Sequence, residues 1–251
     1  MVDLHCHILP GVDDGAKTPG DSLALLREEL AGGVDRIALT PHFNAGRTTV
    51  EAFCRKREAA FRQLNAAVRE AGLQVELKLG AEVFFTLELP ELELEPLCLA
   101  GTPYLLVELS PTFYPAWAKD IFYALQLRGI APILAHVERY PYMLSDPRRL
   151  YELAAAGVLL QVNAGSLLKG GSRAAMLQKL LRWNLVHLVC TDTHSMEKRP
   201  PLLPQALRRA AGLGGEAAAE RLAQAGQAGF DGLEPDLPEP QLPKKLLGRW
   251  F

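Results

Sequence analysis

The sequence predicts an α/β chain in which seven parallel strands close into a barrel, with chemistry-bearing residues at their carboxyl ends. Three observations predict it. Strand-like and helical segments alternate along most of the 251 residues, as they do in parallel sheets built from β-α units. Seven strands at this length favour a barrel over an open sheet. Nearly every strand is followed by a residue able to hold a metal, and in α/β barrels the strand ends converge on one mouth.

The elements follow in order. The first strand begins almost at residue 1, with Val2, Leu4, Ile8 and Leu9 around Asp3-Leu4-His5-Cys6-His7. Alternation puts Asp3, His5 and His7 on one face and Cys6 on the other. Unpaired polar groups on a core face are costly, so this face reads as a ligand set. The Pro10-Gly11 turn then presents Asp13 and Asp14 near the same mouth. Asp21 is expected to cap a helix carrying Leu23, Leu26 and Leu30 and ending at Gly32-Gly33. Arg36 to Thr40 is the second strand, ending at Pro41-His42, and residues 50–71 form an amphipathic helix closed by Gly72. Val75 to Leu79 is the third strand, ending at Gly80-Ala81-Glu82. Residues 84–100, interrupted by Pro90 and Pro96, are assigned to no element. Tyr104 to Val107 is the fourth strand, ending at Glu108, with a helix over 115–128. Ala131 to Ala135 ends at His136, and a helix over 147–156 stops at Gly157. Val158 to Val162 ends at Asn163, and a helix over 172–182 leads to the seventh strand, Val186 to Cys190. Thr191-Asp192-Thr193-His194 follows, then helices at about 201–211 and 215–227.

Residues 1–230 are thus expected to form the barrel domain and 231–251 a separate Pro-rich tail. The tail carries Pro235, Pro238, Pro240 and Pro243 and ends in Lys244, Lys245, Arg249, Trp250 and Phe251. It reads as an extended segment, either docked or a frayed terminus.

A net charge of −2 gives no support for nucleic-acid binding. No apolar run approaches the roughly 18 residues of a membrane span, and the first residues are already patterned chain rather than a signal peptide. The four cysteines are scattered without a CxxC, and Cys6 and Cys190 fall in buried strands. That pattern favours the reducing cytoplasm over a disulfide framework.

Five of the six histidines fall at strand ends. The sixth, His187, lies within the seventh strand and reads as a core histidine with a hydrogen-bond partner. The candidate ligands are His5, His7, Asp14, His42, Glu82, Glu108, His136, Asp192 and His194. Nine are too many for one ion, which takes about four to six. They suit two or three ions sharing carboxylates. Imidazole with carboxylate and no thiolate suits manganese, iron or zinc rather than calcium or a soft-metal site, and manganese is the expected ion. Adjacent ions of this kind serve displacement at phosphorus. Arg139 and Arg199 lie close in sequence to His136 and Asp192, and a guanidinium fork fits phosphate oxygens; a surface ion pair is the competing reading for each. No cysteine has an arginine six residues on, which argues against a cysteine-dependent phosphatase, and no GxxxxGK[ST] occurs. Gly170-Gly171-Ser172 reads either as an anion site or as a loop with Ser172 as N-cap.

Asp3-x-His5-x-His7-Ile8-Leu9-Pro10 with Asp13-Asp14-Gly15, Thr40-Pro41-His42, Gly80-x-Glu82, Glu108, His136-x-Glu138-Arg139-Tyr140 and Asp192-x-His194 resemble the PHP-superfamily metallophosphatases. More narrowly, they resemble the capsule-regulating bacterial protein-tyrosine phosphatases of the CpsB/CapC type, from residue 1 to about 230. The resemblance implies a distorted (β/α)7 TIM-like barrel, the PHP fold, with its active site at the carboxyl ends of the strands. It implies three metals: one on His5, His7, Glu82 and Asp192, one on Glu82, Glu108 and His136, and one on Asp14, His42 and His194. Arg139 and Arg199 match the family's phosphate-contacting arginines, and the implied substrate is phosphotyrosine on a bacterial tyrosine kinase that regulates capsule or exopolysaccharide synthesis. Phe43 stands where the family often has a second histidine, and Thr193-His194-Ser195 replaces a more usual Ala-His-Asn. The competing readings are a histidinol-phosphate phosphatase of the same superfamily and a catalytically inactive metal-binding regulatory module.

Overall fold

The computed structural model describes residues 1–246 and 248–250, so the expectation for Phe251 falls outside the described residues. Nine strands are mutually parallel: β1 (Val2–Cys6), β2 (Arg36–Leu39), β3 (His42–Phe43), β4 (Glu76–Leu79), β5 (Glu82–Phe84), β6 (Tyr104–Glu108), β7 (Ala131–Leu134), β8 (Leu159–Asn163) and β9 (Leu188–Cys190). They run in the orders β1-β2-β4 and β3-β5-β6-β7-β8-β9. The two sheets are one wall, because β2 passes through Pro41 into β3 and β4 passes through Gly80-Ala81 into β5. Proline has no N–H for the ladder, which is why the second strand breaks there. Past β9, Thr193 bridges Cys6, and the amides of Asp192 and His7 donate to His5 O and Thr193 O at 2.8 Å. The ring therefore closes. With β2–β3 and β4–β5 taken as one strand each, it has the seven strands expected.

The helices are α1 (Pro19–Ala31), α2 (Val50–Glu70), α3 (Ala118–Leu127), α4 (Pro141–Ser145), α5 (Arg148–Ala155), α6 (Ala164–Leu168), α7 (Ser172–Arg182), α8 (Leu203–Gly214) and α9 (Glu216–Asp231). The cap of α1 is Thr18 rather than Asp21: Thr18 accepts from Asp21 N at 3.2 Å while Asp21 accepts from Thr18 N at 2.9 Å. Asp21 is the acidic half of this reciprocal box, so the helix starts three residues early. Likewise Ser172 opens α7, and Gly171 is its cap. Residues 84–100 form two short 3-10 turns, Leu89–Glu91 and Glu95–Leu97. Their leucines are buried, and the buried Arg57 of α2 ties the region down by donating to Gly80 O and Pro96 O at 2.7 and 2.8 Å.

One register detail corrects the sequence reading. Asp3 lies opposite Ile37 and Cys6 opposite Leu39, so β1 carries one extra residue between them. A bulge shifts the parity of alternation. Asp3 therefore shares the side of Cys6, not of His5, and bonds Thr191 N (3.0 Å) and Oγ1 (2.5 Å).

Along β8, Leu159, Gln161 and Asn163 alternate with Leu160 and Val162. The second set joins the large outer cluster under the helices. Leu159 joins an inner cluster with Val2, Leu4, Ala38, Leu106, Ile133 and Leu188, closed by Ala225 and Phe230 of α9. Gly229 lets α9 approach this closely, since a Cβ there would sit 2.8 Å from Leu4. The barrel is thus apolar and plugged at one end and polar at the other.

The tail is docked. Tyr104 Oη donates to Leu233 O (2.7 Å), Asn184 to Glu239 O (2.8 Å), and Gln241 N to Trp183 O (2.8 Å). A hairpin of β10 (Lys245–Leu246) and β11 (Arg249–Trp250) follows. Trp250 is buried, and its indole N–H donates to Ser145 O at 3.2 Å.

His187 has the bonded core environment expected of it: Nδ1 accepts from Leu160 N (3.0 Å) and Nε2 donates to Asn184 O (3.1 Å). Burial pushes its pKa down from 6.5 to about 4. The folded state therefore prefers the neutral ring while the unfolded chain takes a proton near 6.5. Stability from this residue is full above about pH 6.5 and falls as the pH drops toward 4, by about 3 kcal/mol. Urea unfolding of the wild type should lose stability over this window more steeply than His187→Gln does; parallel curves would contradict the assignment.

Candidate metal centre

Each candidate ligand is set by a strand end or the turn after it, and most imidazoles are oriented by a second partner. His5 and His7 leave β1 fully buried. His5 Nδ1 faces Gln161 Oε1 at 3.3 Å, and His7 Nδ1 faces Asp13 Oδ2 at 2.6 Å. His194 Nδ1 faces Asp192 O at 2.8 Å. In each case the Nδ1–H donates and the Nε2 lone pair points to the mouth, as metal-binding histidines require. His136 and Asp192 adopt left-handed backbone, φ 34° and 51°, conformations that cost ordinary residues about 1–3 kcal/mol and recur at functional sites.

The donor atoms converge in three overlapping groups, each within 4.8 Å internally: His5, His7, Glu82 and Asp192; His7, Asp14, His42 and His194; and His42, Glu82 and Glu108. Glu82 lies among them. Its Oε2 is 3.3, 3.1 and 3.0 Å from His5, His7 and His42. Its Oε1 is 2.7 Å from His136 Nε2, which also lies 3.6 Å from Glu108 Oε1. Glu82 and Glu108 thus have His42 on one pair of oxygens and His136 on the other. His42 presents Nδ1 to Glu82 and Nε2 to Asp14, at 3.0 and 3.5 Å. Asp192 turns Oδ1 toward His5 and His7 (3.5 and 3.4 Å) and Oδ2 toward Asn163 (2.6 Å) and Arg139 (3.1 Å).

This packing fits divalent ions. His5 Nε2 and His7 Nε2 stand 3.2 Å apart, two lone pairs facing each other once both Nδ1 atoms carry the proton. Glu82 Oε2 and His194 Nε2 are buried without a hydrogen-bond partner, an arrangement that costs several kcal/mol unless a cation or proton fills it. Four carboxylates share the mouth, and a mixed nitrogen and oxygen donor set suits first-row divalent metals.

The electrostatics agree. Burial pulls the His7 imidazole down, but Asp13 and Glu82 outweigh it and carry its pKa well above 6.5. His5 is likewise lowered by burial and raised further by Glu82 and Asp192. Burial and the neighbouring His7 push His194 down to about 3. Burial raises Glu82, yet His5 and the other imidazoles draw it well below its usual range. Glu108 is raised by burial and by the nearby Glu82.

Several residues of this site escaped the sequence. Gln161 accepts from His136 N (2.7 Å) while facing His5. Asn163 was seen only as a strand end. Asp13 bonds Gly15 N (2.9 Å) and His42 N (3.0 Å) as well as His7. Gly15 admits this loop, because a Cβ there would lie 2.0 Å from His7 O. The inward parity of β8 could have flagged Gln161 and Asn163. Asp13, next to Asp14, carried no signal to separate their roles. At the rim, Arg139 meets Asp192 at 3.1 Å, and Arg199 meets both Asp192 (3.1 Å) and Asp14 (3.3 Å). A cavity of about 680 Å³ opens there, lined by Asp14, Lys17, His194, Met196 and Arg199 among others. No helix among the described residues is long and apolar enough to cross a membrane.

Comparison with known proteins adds independent findings. Residues 1–227 match the family model of capsular polysaccharide synthesis proteins CpsB/CapC. The chain is 35% identical over 203 residues to tyrosine-protein phosphatase YwqE of Bacillus subtilis, covering 79% of each chain. It is 33% identical over 216 residues to tyrosine-protein phosphatase CpsB of Streptococcus pneumoniae, covering 82% of this chain and 88% of that one. A solved structure described as YwqE from Bacillus subtilis and CpsB from Streptococcus pneumoniae, unique metal-dependent tyrosine phosphatases, superposes with a TM-score of 0.89 at 30% identity, covering 98% of this chain and 100% of the other. An inactive dihydroorotase-like domain of Chaetomium thermophilum shares the fold alone, with a TM-score of 0.52 at 9% identity.

Two outcomes are expected. Asp13→Ala releases the His7 ring and should lower manganese affinity about 10–100-fold, read by titration calorimetry, with the barrel still folded by circular dichroism. Because His5 and His7 hold protons above their ordinary range, loading metal must displace protons. Manganese affinity should therefore weaken steadily from about pH 8 to about pH 6; a flat profile would contradict this electrostatic picture.

Proposed function

The chain belongs to the CpsB/CapC family, and on that footing we propose that it is a metal-dependent phosphatase that hydrolyses phosphotyrosine. The observation that carries the reading is the convergence of eight imidazole and carboxylate side chains on one barrel mouth, in three overlapping groups, with His136 against Glu82 and Glu108 and two arginines on the rim. We assign His5, His7, Glu82 and Asp192 to one ion; Glu82, Glu108 and His136, with His42 adjacent, to a second; and Asp14, His42 and His194 to a third. Manganese is the expected occupant. Bound there, such ions would supply a water acidic enough to lose its proton near neutral pH and positive charge for the phosphoryl oxygens.

The chain's own groups do the rest. Asp13, Gln161 and the Asp192 carbonyl fix the imidazoles so that no reorientation is needed during reaction. Arg139 and Arg199 each spend some of their N–H groups on Asp192, and their guanidinium planes flank the mouth, where remaining donors can take non-bridging phosphate oxygens. A phenolate leaves readily, its conjugate acid having a pKa near 10, so a strong proton donor is less necessary than for an alkyl phosphate. We place the physiological substrate on a bacterial tyrosine kinase that governs capsule or exopolysaccharide synthesis, a reading supported by the names of the family and its relatives. The same reading puts the enzyme in the cytoplasm, where buried thiols such as Cys6 and Cys190 stay reduced.

The manganese-loaded protein should hydrolyse a phosphotyrosyl peptide much faster than histidinol phosphate. The reverse order would make it a small-molecule phosphatase, and inactivity with every metal would make it a regulatory module. His136→Ala should lower kcat/KM roughly a hundredfold while the barrel stays folded by circular dichroism. Arg139→Ala should raise KM for aryl phosphate about tenfold with metal content unchanged by elemental analysis; loss of metal instead would place Arg139 in ion binding.

A further inference from the structure

A second group of cations stands beside the mouth. Lys169, between α6 and α7, Arg173, in the first turn of α7, and Lys198, after β9, line a cavity of about 250 Å³ together with Arg139 and Arg199. Arg139 and Arg173 also line an adjoining cavity of about 380 Å³ whose wall includes Pro141, Leu144 and Met176. Lys169, Arg173 and Lys198 are exposed. None of the three has a carboxylate partner among the described residues. The one carboxylate among the residues lining the first cavity, Asp192, is buried and already bonded to Asn163, Arg139 and Arg199. In the adjoining cavity Glu138 is buried, and its Oε1 accepts from Asn163 N at 3.2 Å.

The chain as a whole carries a net charge of −2, so five cations around one concave surface do not reflect its general composition. Arg139 and Arg199 have Asp192 between them, whereas the repulsion among the other three cations is relieved only when an anion enters the cavity. A phosphoryl group bound by Arg139 and Arg199 occupies only one end of the array. Lys169, Arg173 and Lys198 line the same cavity beside it.

We propose that this cavity is a subsite for a second anionic side chain of the substrate, a carboxylate or a phosphate within a few residues of the phosphotyrosine. The enzyme then selects phosphotyrosyl segments with acidic neighbours. The proposal rests on the tyrosine-phosphatase reading above and adds a substrate preference to it. Two or three solvent-exposed ion pairs each contribute modestly and are screened by salt, so the preference is a several-fold effect rather than an absolute requirement.

The test uses the manganese-loaded full chain and synthetic phosphotyrosyl peptides. One series has neutral flanks, one carries glutamate and one phosphoserine, placed one to three positions to either side; a small aryl phosphate without a peptide serves as control. Expected is a kcat/KM roughly three- to tenfold higher for at least one acidic peptide than for the neutral one, shrinking as salt rises. The double substitution Lys169→Glu with Arg173→Glu should abolish or invert the preference while aryl phosphate turnover stays within about twofold. The milder Lys169→Gln with Arg173→Gln should reduce it. The glutamate and phosphoserine arms distinguish a carboxylate from a phosphate occupant. Equal rates on all peptides with normal aryl phosphate turnover would overturn the subsite and leave the phosphatase reading intact. A preference that survives charge reversal would overturn it too. No turnover of any phosphotyrosyl or aryl phosphate substrate would overturn both.

Discussion

The structure depends on one electrostatic constraint: lone pairs held face to face in a buried space. His5 Nε2 and His7 Nε2 are 3.2 Å apart, and Glu82 Oε2 is within 3.3 Å of three imidazoles. Such a mouth is unfavourable without positive charge at its centre. The surrounding bonds prevent it from relaxing. His5, His7 and His194 are each held by their second nitrogen, and Asp192 is pinned on its far oxygen by Asn163 and two arginines. Metal dependence, second-sphere bonding and backbone strain are aspects of that one arrangement.

The barrel supplies the rigidity. Its inner face is apolar where α9 closes it and changes to Gln161, Asn163, Glu82 and Glu108 toward the other end. Residues two apart on one strand therefore serve the core and the site in turn. The bulge in β1 lets Leu4 fill the core while His5 and His7 face the mouth and Asp3 turns outward to Thr191. The left-handed residues His136 and Asp192 redirect the chain just where β7 and β9 end, and packing on all sides sustains their strain.

Much of this was legible in the sequence because strand ends are marked by simple patterns. Short apolar runs ending in His136, Glu108 or Asp192 gave the strand count, and the histidines' concentration at those ends gave the mouth. What escaped were features set by three-dimensional register. The split of β2 from β3 at Pro41 leaves no periodic trace in two residues of strand. Bulge parity at Asp3 depends on how β2 pairs, which alternation within β1 cannot reveal. Asp21 reads as a cap because it is a good one, and only the reciprocal bond with Thr18 shows that Thr18 takes that place. Asp13 and Asp14 are chemically identical, and only the turn at Gly15 sends one behind His7 and the other to the rim.

The closure of the ring has a consequence for synthesis. His5 and His7 leave the ribosome long before residues 191–194 complete their strand and Ala225 and Phe230 seal it from below. Contacts between such distant stretches of chain form slowly and late. A nascent polypeptide therefore carries these two imidazoles without a pocket to put them in until the stretch from Thr191 to Phe230 has been made. The finished centre arises only when these distant stretches of chain meet.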